Sequence, residues 1–505
     1  MAAPIALPNR VLRAFWFVAT FGGEQWIVAL LGIACLVVTP LVILRSQGDF
    51  HVVLSVLGTL AVALVTLYRL DWGLCIFFGM ILLCDNYEVP GFSTWTFELG
   101  YFWPLNSLFP GLGIGIVNPM ELHLLLIFSV WGLVAILQRR SFVRFRPGIP
   151  AILFFLWLLQ SLWRGMSTGG DLQWGLWEVR ALGYLGLTVV LVPQIIQTRA
   201  HIENLIWVCL TIIPYKAVQG LERFISSGFN FGGSRTLTNH EDPVFIVTLF
   251  ILLGGLTFIG GNPRQRRTLL WLLPILIAGF YIGNRRAAYA GFAVGTIVLI
   301  SLMSGERLKR LMKPLIAVAL VFCIYLAAYW NTTGRIGMVA QTVRSTIFAG
   351  DRELVSSYED FTSGLARDQE NYNTAASLRQ APVMGIGFGR KFEEAIQSWG
   401  SYALKGYICH NQIFWILGKT GAVGFFFFFF FLNSVVMRGA HVFRNLQDPY
   451  LQTVCAVAII AVVSQVVVSY ADMQLTYYRN MTYLGMFIGL IPVMERISRL
   501  ERRAG

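Results

Sequence analysis

The sequence predicts an all-α fold, a polytopic bundle of about 12–14 membrane helices carrying one large, mainly helical outer loop. Three observations lead there. Hydrophobic residues make up 56% of the 505 positions and charged residues only 13%. Apolar runs of roughly 20 residues, each long enough to cross a bilayer as a helix, recur along the chain. Helices rather than open strands are expected because backbone groups cannot stay unpaired in lipid. The net charge of +13 is scattered among these runs, which argues for membrane orientation and anionic ligands and against nucleic acid.

Taken in order, the runs place spans near 24–45, 51–69, 72–84, 120–137, 149–163, 178–194, 203–220, 243–260, 269–283, 286–303, 313–330, 411–433, 451–470 and 480–494. Arg10 and Arg13 precede the first without a convincing cleavage site, so it reads as a retained span. The run at 72–84 is short enough to form a re-entrant hairpin with its neighbour. Seven cysteines lie mostly inside apolar runs and form no CxxC pair, which argues against zinc and against a disulfide framework. The phenylalanines at 425–431 suit a helix that is packed or faces lipid. Trp95, Phe97, Tyr101, Phe102 and Trp103 suit an interfacial belt, with sugar stacking as the alternative.

Basic groups set the orientation. Arg139, Arg140, Arg144 and Arg146 form one, Arg264, Arg266 and Arg267 a second, Arg307, Lys309, Arg310 and Lys313 a third, and Arg496, Arg499, Arg502 and Arg503 a fourth. The span order puts all four on one side with both termini, and the positive-inside rule makes that side cytoplasmic. The polar stretch 331–409 then lies outside. It divides the chain into N-terminal helices (1–330), a cap (331–409) and C-terminal helices (410–505). Its Gly385-Ile386-Gly387-Phe388-Gly389 run reads as a tight turn, since no strand precedes it as a phosphate loop would require.

His410 and Asn411 stand where this cap meets the next span. An imidazole is the side chain best suited to moving protons near neutral pH. Several arginines also fall on the outer side, against the orientation rule: Arg180, Arg223, Arg235, the pair Arg285 and Arg286, and Arg479. A lone arginine can snorkel to lipid phosphates, but guanidiniums gathered at one cavity call for an anion such as pyrophosphate. An outward imidazole with outward guanidiniums points to transfer chemistry on a phosphate-bearing lipid. Such chemistry demands no metal and no cofactor, although the acidic pairs Glu241-Asp242 and Glu359-Asp360 are places where a metal could sit.

These residues resemble the bacterial O-antigen ligase and polymerase superfamily. His410-Asn411 followed by Gly421-x-x-Gly424 resembles its signature. Asn284-Arg285-Arg286-Ala287 is similar to its Ser-Arg-small segment, with Asn in place of Ser. Arg235 through Asn239 is similar to its Arg-rich turn, with Asn239-His240 in place of an Asn-Pro-Asn element. Arg367-x-x-Glu370-Asn371 and Pro382-x-x-Gly385 resemble the end of its outer loop. The resemblance spans about 180–490.

It implies a C-type glycosyltransferase-like inner-membrane enzyme, metal-independent and inverting, with its active site facing the periplasm. The donor would be an undecaprenyl-diphosphate-linked oligosaccharide and the acceptor a glycan or lipid A core. His410 would be the base, with Asn411, Gly421 and Gly424 supporting the motif. Arg285 or Arg286, with Arg235 and Arg367, would hold the diphosphate, and Arg180 and Arg479 would extend that set. Membrane lipids and a chain-length regulator are the expected further partners. Polymerisation is preferred over ligation, because a generous cap suits two lipid-linked chains. The rivals are a lipid or anion transporter or flippase, and an inactive assembly partner. Replacement of His410 is expected to cost far more activity than replacement of His240.

Overall fold

A computed structural model describes residues 50–89, 91–92, 94–108, 117–137, 142–143, 148–229, 231, 236–332, 334, 336–348, 358–397, 402 and 404–504. The expected span at 24–45 and Arg235 lie outside the described residues. Each of the other expected spans coincides with a helix, and the described residues contain no extended strand. Eight of the helices are long and apolar enough to cross a membrane. The chain is therefore an all-α polytopic membrane protein.

It divides into two compact units, residues 1–80 with 95–141, and residues 81–94 with 142–505. In the first, α1 (Phe50–Tyr68), the start of α2 (Leu70–Leu83), the short α3 (Trp95–Glu98) and α4 (Leu105–Leu108), and α5 (Pro119–Leu137) follow one another. Tyr101 and Phe102 of the expected aromatic belt are buried here, and Trp95 is exposed. The Tyr101 hydroxyl is 3.0 Å from His123 Nδ1, so that histidine satisfies a core hydrogen bond.

The second unit holds α6 (Gly148–Ser167), α7 (Leu172–Ile195), α8 (Arg199–Ser226), α9 (Asp242–Phe258), α10 (Pro263–Gly283), α11 (Arg286–Leu302) and α12 (Gly305–Tyr329). Two helices follow within the polar stretch, α13 (Met338–Ile347) and α14 (Tyr358–Gln380). α15 (Gln412–Asn445), α16 (Pro449–Ala471) and α17 (Tyr478–Ala504) complete it. α16 packs between α11 and α15, and α17 packs on α7. In α15, Phe428 and Phe431 turn inward against Phe154, while Phe426 and Phe430 are exposed, as helical spacing requires.

α15 is broken at Gly421, where φ 69° and ψ −176° are conformations confined to glycine. A break inside a membrane helix strands backbone groups, and these must find partners in protein. Here the glycine turn 385–389 and the residues before it supply them. The amides of Ala422 and Val423 donate to the carbonyls of Pro382 and Val383 at 2.9 and 3.3 Å. The freed carbonyls of Gly418 and Lys419 accept from the amides of Ile386 and Gly387, both at 3.0 Å. Trp157 Nε1 donates to the Thr420 carbonyl at 2.9 Å.

Gly385, Gly387 and Gly389 all have φ between 72° and 88°. A Cβ on Gly385 would stand 2.3 Å from the Lys419 carbonyl oxygen. The run is thus a turn that inserts backbone into a helix break. Gly421→Ala is expected to strain the backbone and drive its Cβ to 2.3 Å from the Val383 carbonyl oxygen, costing about 2–3 kcal/mol. A fall in Tm of the purified protein in detergent checks this, and an unchanged Tm would contradict it.

Candidate active site

Three helix ends and two helix faces converge on a cavity of about 230 Å³. The α10–α11 junction supplies Asn284, Arg285, Arg286 and Ala287, and α13 supplies Thr342. α14 supplies Ser363 and Arg367, and the end of α16 supplies Ala471 and Asp472. Thr236, beside the undescribed Arg235, completes the lining. The junction is sharp because Asn284 adopts the left-handed conformation (φ 36°, ψ 47°), which Asn tolerates better than most residues. That turn puts Arg285 at the N-cap of α11, where no side chain caps the helix. The first amides of α11 and two guanidiniums therefore meet at one positive helix end, a ready site for an anion. Among the described residues Arg285 Nε has no hydrogen-bond partner. Arg286 Nη1 donates to the Ser345 carbonyl at 3.3 Å.

α14 joins this cavity to His410. Ser363, Arg367, Glu370, Thr374 and Ser377 recur at helical spacing along one face of it. Arg367 lines the cavity. One turn on, the buried Glu370 carboxylate accepts from His410 Nδ1 at 2.8 Å and from the His410 amide at 2.9 Å. Tyr402 donates its hydroxyl to the other Glu370 oxygen at 3.0 Å. Burial pushes the Glu370 carboxyl up, but its bonds to His410 and Tyr402 outweigh that and hold it below the usual range. Burial and the Glu370 charge push the Tyr402 phenol far up, so it stays a donor. With a carboxylate on Nδ1, the Nδ1 tautomer of His410 leaves Nε2 with its lone pair. His410 is not itself among the cavity's lining residues. It connects to the cavity through Glu370 and Arg367, and both His410 and Arg285 act electrostatically on His240.

The remaining sequence candidates fall elsewhere. Arg479 is fully buried; it donates to Asp242 and to the Leu82 carbonyl at 2.8 and 2.7 Å, and lies 3.6 Å from Glu241. Arg223 is buried too, and donates to the Leu237 carbonyl at 2.8 Å. Lys216 meets Asp85 at 2.6 Å, and the Asn239 amide group donates to the same carboxylate. This buried ionic cluster fastens segment 236–242 and engages the Glu241-Asp242 pair. Arg180 is half-buried on α7, outside the cavity lining. Asn411 is the N-cap of α15, its Oδ1 accepting from the Phe414 amide at 3.1 Å. Gly424 sits where a Cβ would meet Thr420 and Trp157 at 2.3–2.4 Å.

The family comparison covers the heart of this arrangement. Residues 271–429 match the family model described as O-Antigen ligase. This match, over about a third of the chain, supports a relationship to the O-antigen ligase and polymerase family. No curated protein matches the chain. The matched segment contains Arg285, Arg286, Arg367, Glu370, His410, Gly421 and Gly424; His240 and Asp472 lie outside it. The match and the eight apolar helices together support a multi-pass membrane protein of the O-antigen ligase or polymerase type.

Glu370 and Asp472 are functional candidates that the sequence reading did not assign. The three-residue step from Arg367 to Glu370 was the available signal, since it places both on one helix face. Asp472 carried no signal beyond being an acid at the end of an apolar run.

Proposed function

We propose that this protein transfers a glycan from an undecaprenyl-diphosphate carrier to a sugar hydroxyl at the periplasmic face, with inversion and without a metal ion. One observation carries the reading: α14 both lines the arginine cavity, through Arg367, and holds the imidazole of His410, through Glu370. The acceptor hydroxyl gives its proton to His410 Nε2 as its oxygen attacks the anomeric carbon. The bond from that carbon to the diphosphate breaks, and the charge that develops is met by Arg285, Arg286 and Arg367. Guanidiniums and a helix end thereby take the electrostatic role that a divalent cation would take. Arg235 beside Thr236 and the half-buried Arg180 are proposed at the edge of this set, and Arg479 as a scaffold ion.

An apolar groove supports a polyprenyl carrier. It is lined by Tyr281, Phe322, Tyr325, Ile336 and Val339 and has a volume of about 500 Å³. Tyr281 lies one turn before Arg285, and Val339 one turn before Thr342. The basic groups on the opposite loops support cytoplasmic termini in the inner membrane, with residues 331–409 capping the bundle between 1–330 and 410–505. Polymerisation is preferred over ligation to lipid A core because the long polar stretch 331–409 suits handling two lipid-linked chains, with a chain-length regulator as partner.

Purified protein in nanodiscs, given a lipid-diphosphate oligosaccharide and acceptor, should release undecaprenyl diphosphate and form a glycosidic product. Lipid scrambling with no such product would favour a flippase and overturn the reading. Glu370→Gln puts an N–H donor where two donors now converge and favours the wrong tautomer of His410. It is expected to lower kcat about 10²-fold with the donor KM unchanged, and Glu370→Asp should restore part of the loss. Equal losses from Gln and Asp, or a change in KM alone, would contradict a positioning role.

A further inference from the structure

An anion cavity that contains a carboxylate needs an explanation. Asp472 lines the cavity with three guanidiniums, and it would repel a diphosphate unless it had another task. Its Oδ1 lies 3.4 Å from His240 Nδ1. The same carboxylate is fixed by the Met473 amide at 2.9 Å and by Gln474 Nε2 at 3.0 Å. Gln474 Nε2 also reaches the His240 carbonyl at 3.4 Å. The buried cluster of Asp85, Lys216 and Arg223 roots the segment that carries His240. Imidazole and carboxylate are thus both held in place. Yet the His240 side chain is 39% exposed against 8% for Asp472, and among the described residues its Nε2 makes no hydrogen bond.

We propose that His240, held by Asp472, is a second catalytic imidazole that serves the departing diphosphate, while His410 serves the incoming hydroxyl. The inference rests on the transfer reaction above. As the bond from the anomeric carbon to the diphosphate oxygen breaks, its electron pair goes to that oxygen, which takes a proton from His240 Nε2. The hydroxyl proton goes to His410, and both imidazoles then re-equilibrate with water, so one proton leaves and one enters.

The charges facing His240 define how it is loaded. Asp472 comes from the end of α16, Arg285 from the cap of α11 and His410 from the start of α15. The Tyr477 ring meets its edge at 5.7 Å, and Glu241 follows it in the chain. Burial, then Arg285, pull its pKa down, against the pull of Asp472, and His410 lowers it further. The free site therefore disfavours the charged ring. A bound diphosphate adds negative charge beside it, raises its pKa and brings in a proton. Uptake is largest at a pH above the free value and below the bound one.

Calorimetric titration with farnesyl diphosphate at about pH 7, in two buffers of different ionisation enthalpy, measures that proton. Wild type is expected to take up more protons than His240→Gln. His410→Gln should take up as many as wild type, and Asp472→Asn fewer, because the pull toward the charged ring is gone. His240→Gln should also lower kcat about 10-fold to 10²-fold. Equal uptake by wild type and His240→Gln, or a loss confined to His410→Gln, would overturn this inference alone. A wild-type protein that binds no farnesyl diphosphate would overturn the transfer reading with it.

Discussion

His410→Ala is expected to lower glycosyl transfer by about 10³-fold or more at saturating donor, with Tm close to that of wild type. The size follows from the role. A hydroxyl is a poor nucleophile until its proton is taken, and a positioned base contributes about 10²–10⁴-fold. The ring is one-quarter exposed and lies at the end of the polar stretch against Glu370 and the edge of Tyr402, away from the apolar core of the bundle. The buried Glu370 carboxylate keeps Tyr402 and the residue 410 amide as donors after the substitution. Loss at His240 should be smaller, because a diphosphate is a competent leaving group beside three guanidiniums. Steady-state kinetics on both variants check this order. Equal rates in wild type and His410→Ala would remove the base and favour an inactive assembly partner.

Lys419→Met is expected to be the most damaging single change to stability. Glu178 of α7 and Lys419 of α15 are both fully buried and meet at 2.7 Å. Glu178 also accepts from the Gly389 amide and from Trp415 Nε1. Lys419 lies 4.6 Å from the centre of the Phe392 ring and donates to the Arg390 carbonyl. The pair therefore ties α7, the glycine turn and the broken helix together. Removing only the cation leaves a buried carboxylate uncompensated, which costs about 3–5 kcal/mol. The double change Glu178→Gln with Lys419→Met should recover part of the loss, since no charge is left buried and the amide oxygen still accepts from Gly389, although the amide NH2 then faces Trp415 Nε1. Thermal unfolding of the purified variants reads this. A double variant no more stable than Lys419→Met would show that packing, not the unpaired charge, sets the cost.

The spans were legible because lipid imposes a length and a polarity on each of them, and the runs at 286–303 and 451–470 match their helices to within about two residues. Arg285 and Arg286 line one cavity with Arg367, which the sequence offered only through the family resemblance. Arg479 did not separate from them in sequence, because a guanidinium bound to buried carboxylates and one aimed at a ligand look alike until the partners are known. Asp242 and Glu241 of a distant segment decide the matter for Arg479. Gly421 was legible only as part of a motif. Its positive φ follows from segment 382–389 inserting beside it, a contact across more than thirty residues of chain that no local pattern reports. Glu370 was hidden for the same reason, since its role depends on a ring forty residues later.

The central claim divides the work between an imidazole that moves a proton and guanidiniums that hold a diphosphate, and equilibrium binding of radiolabelled undecaprenyl diphosphate tests it most directly. His410→Ala should bind within about twofold of wild type while failing to turn over, and the double change Arg285→Met with Arg286→Met should bind about 10²-fold more weakly, from the loss of two charge-assisted contacts. Unchanged binding by the arginine variant, or an equal loss of binding in His410→Ala, would contradict it.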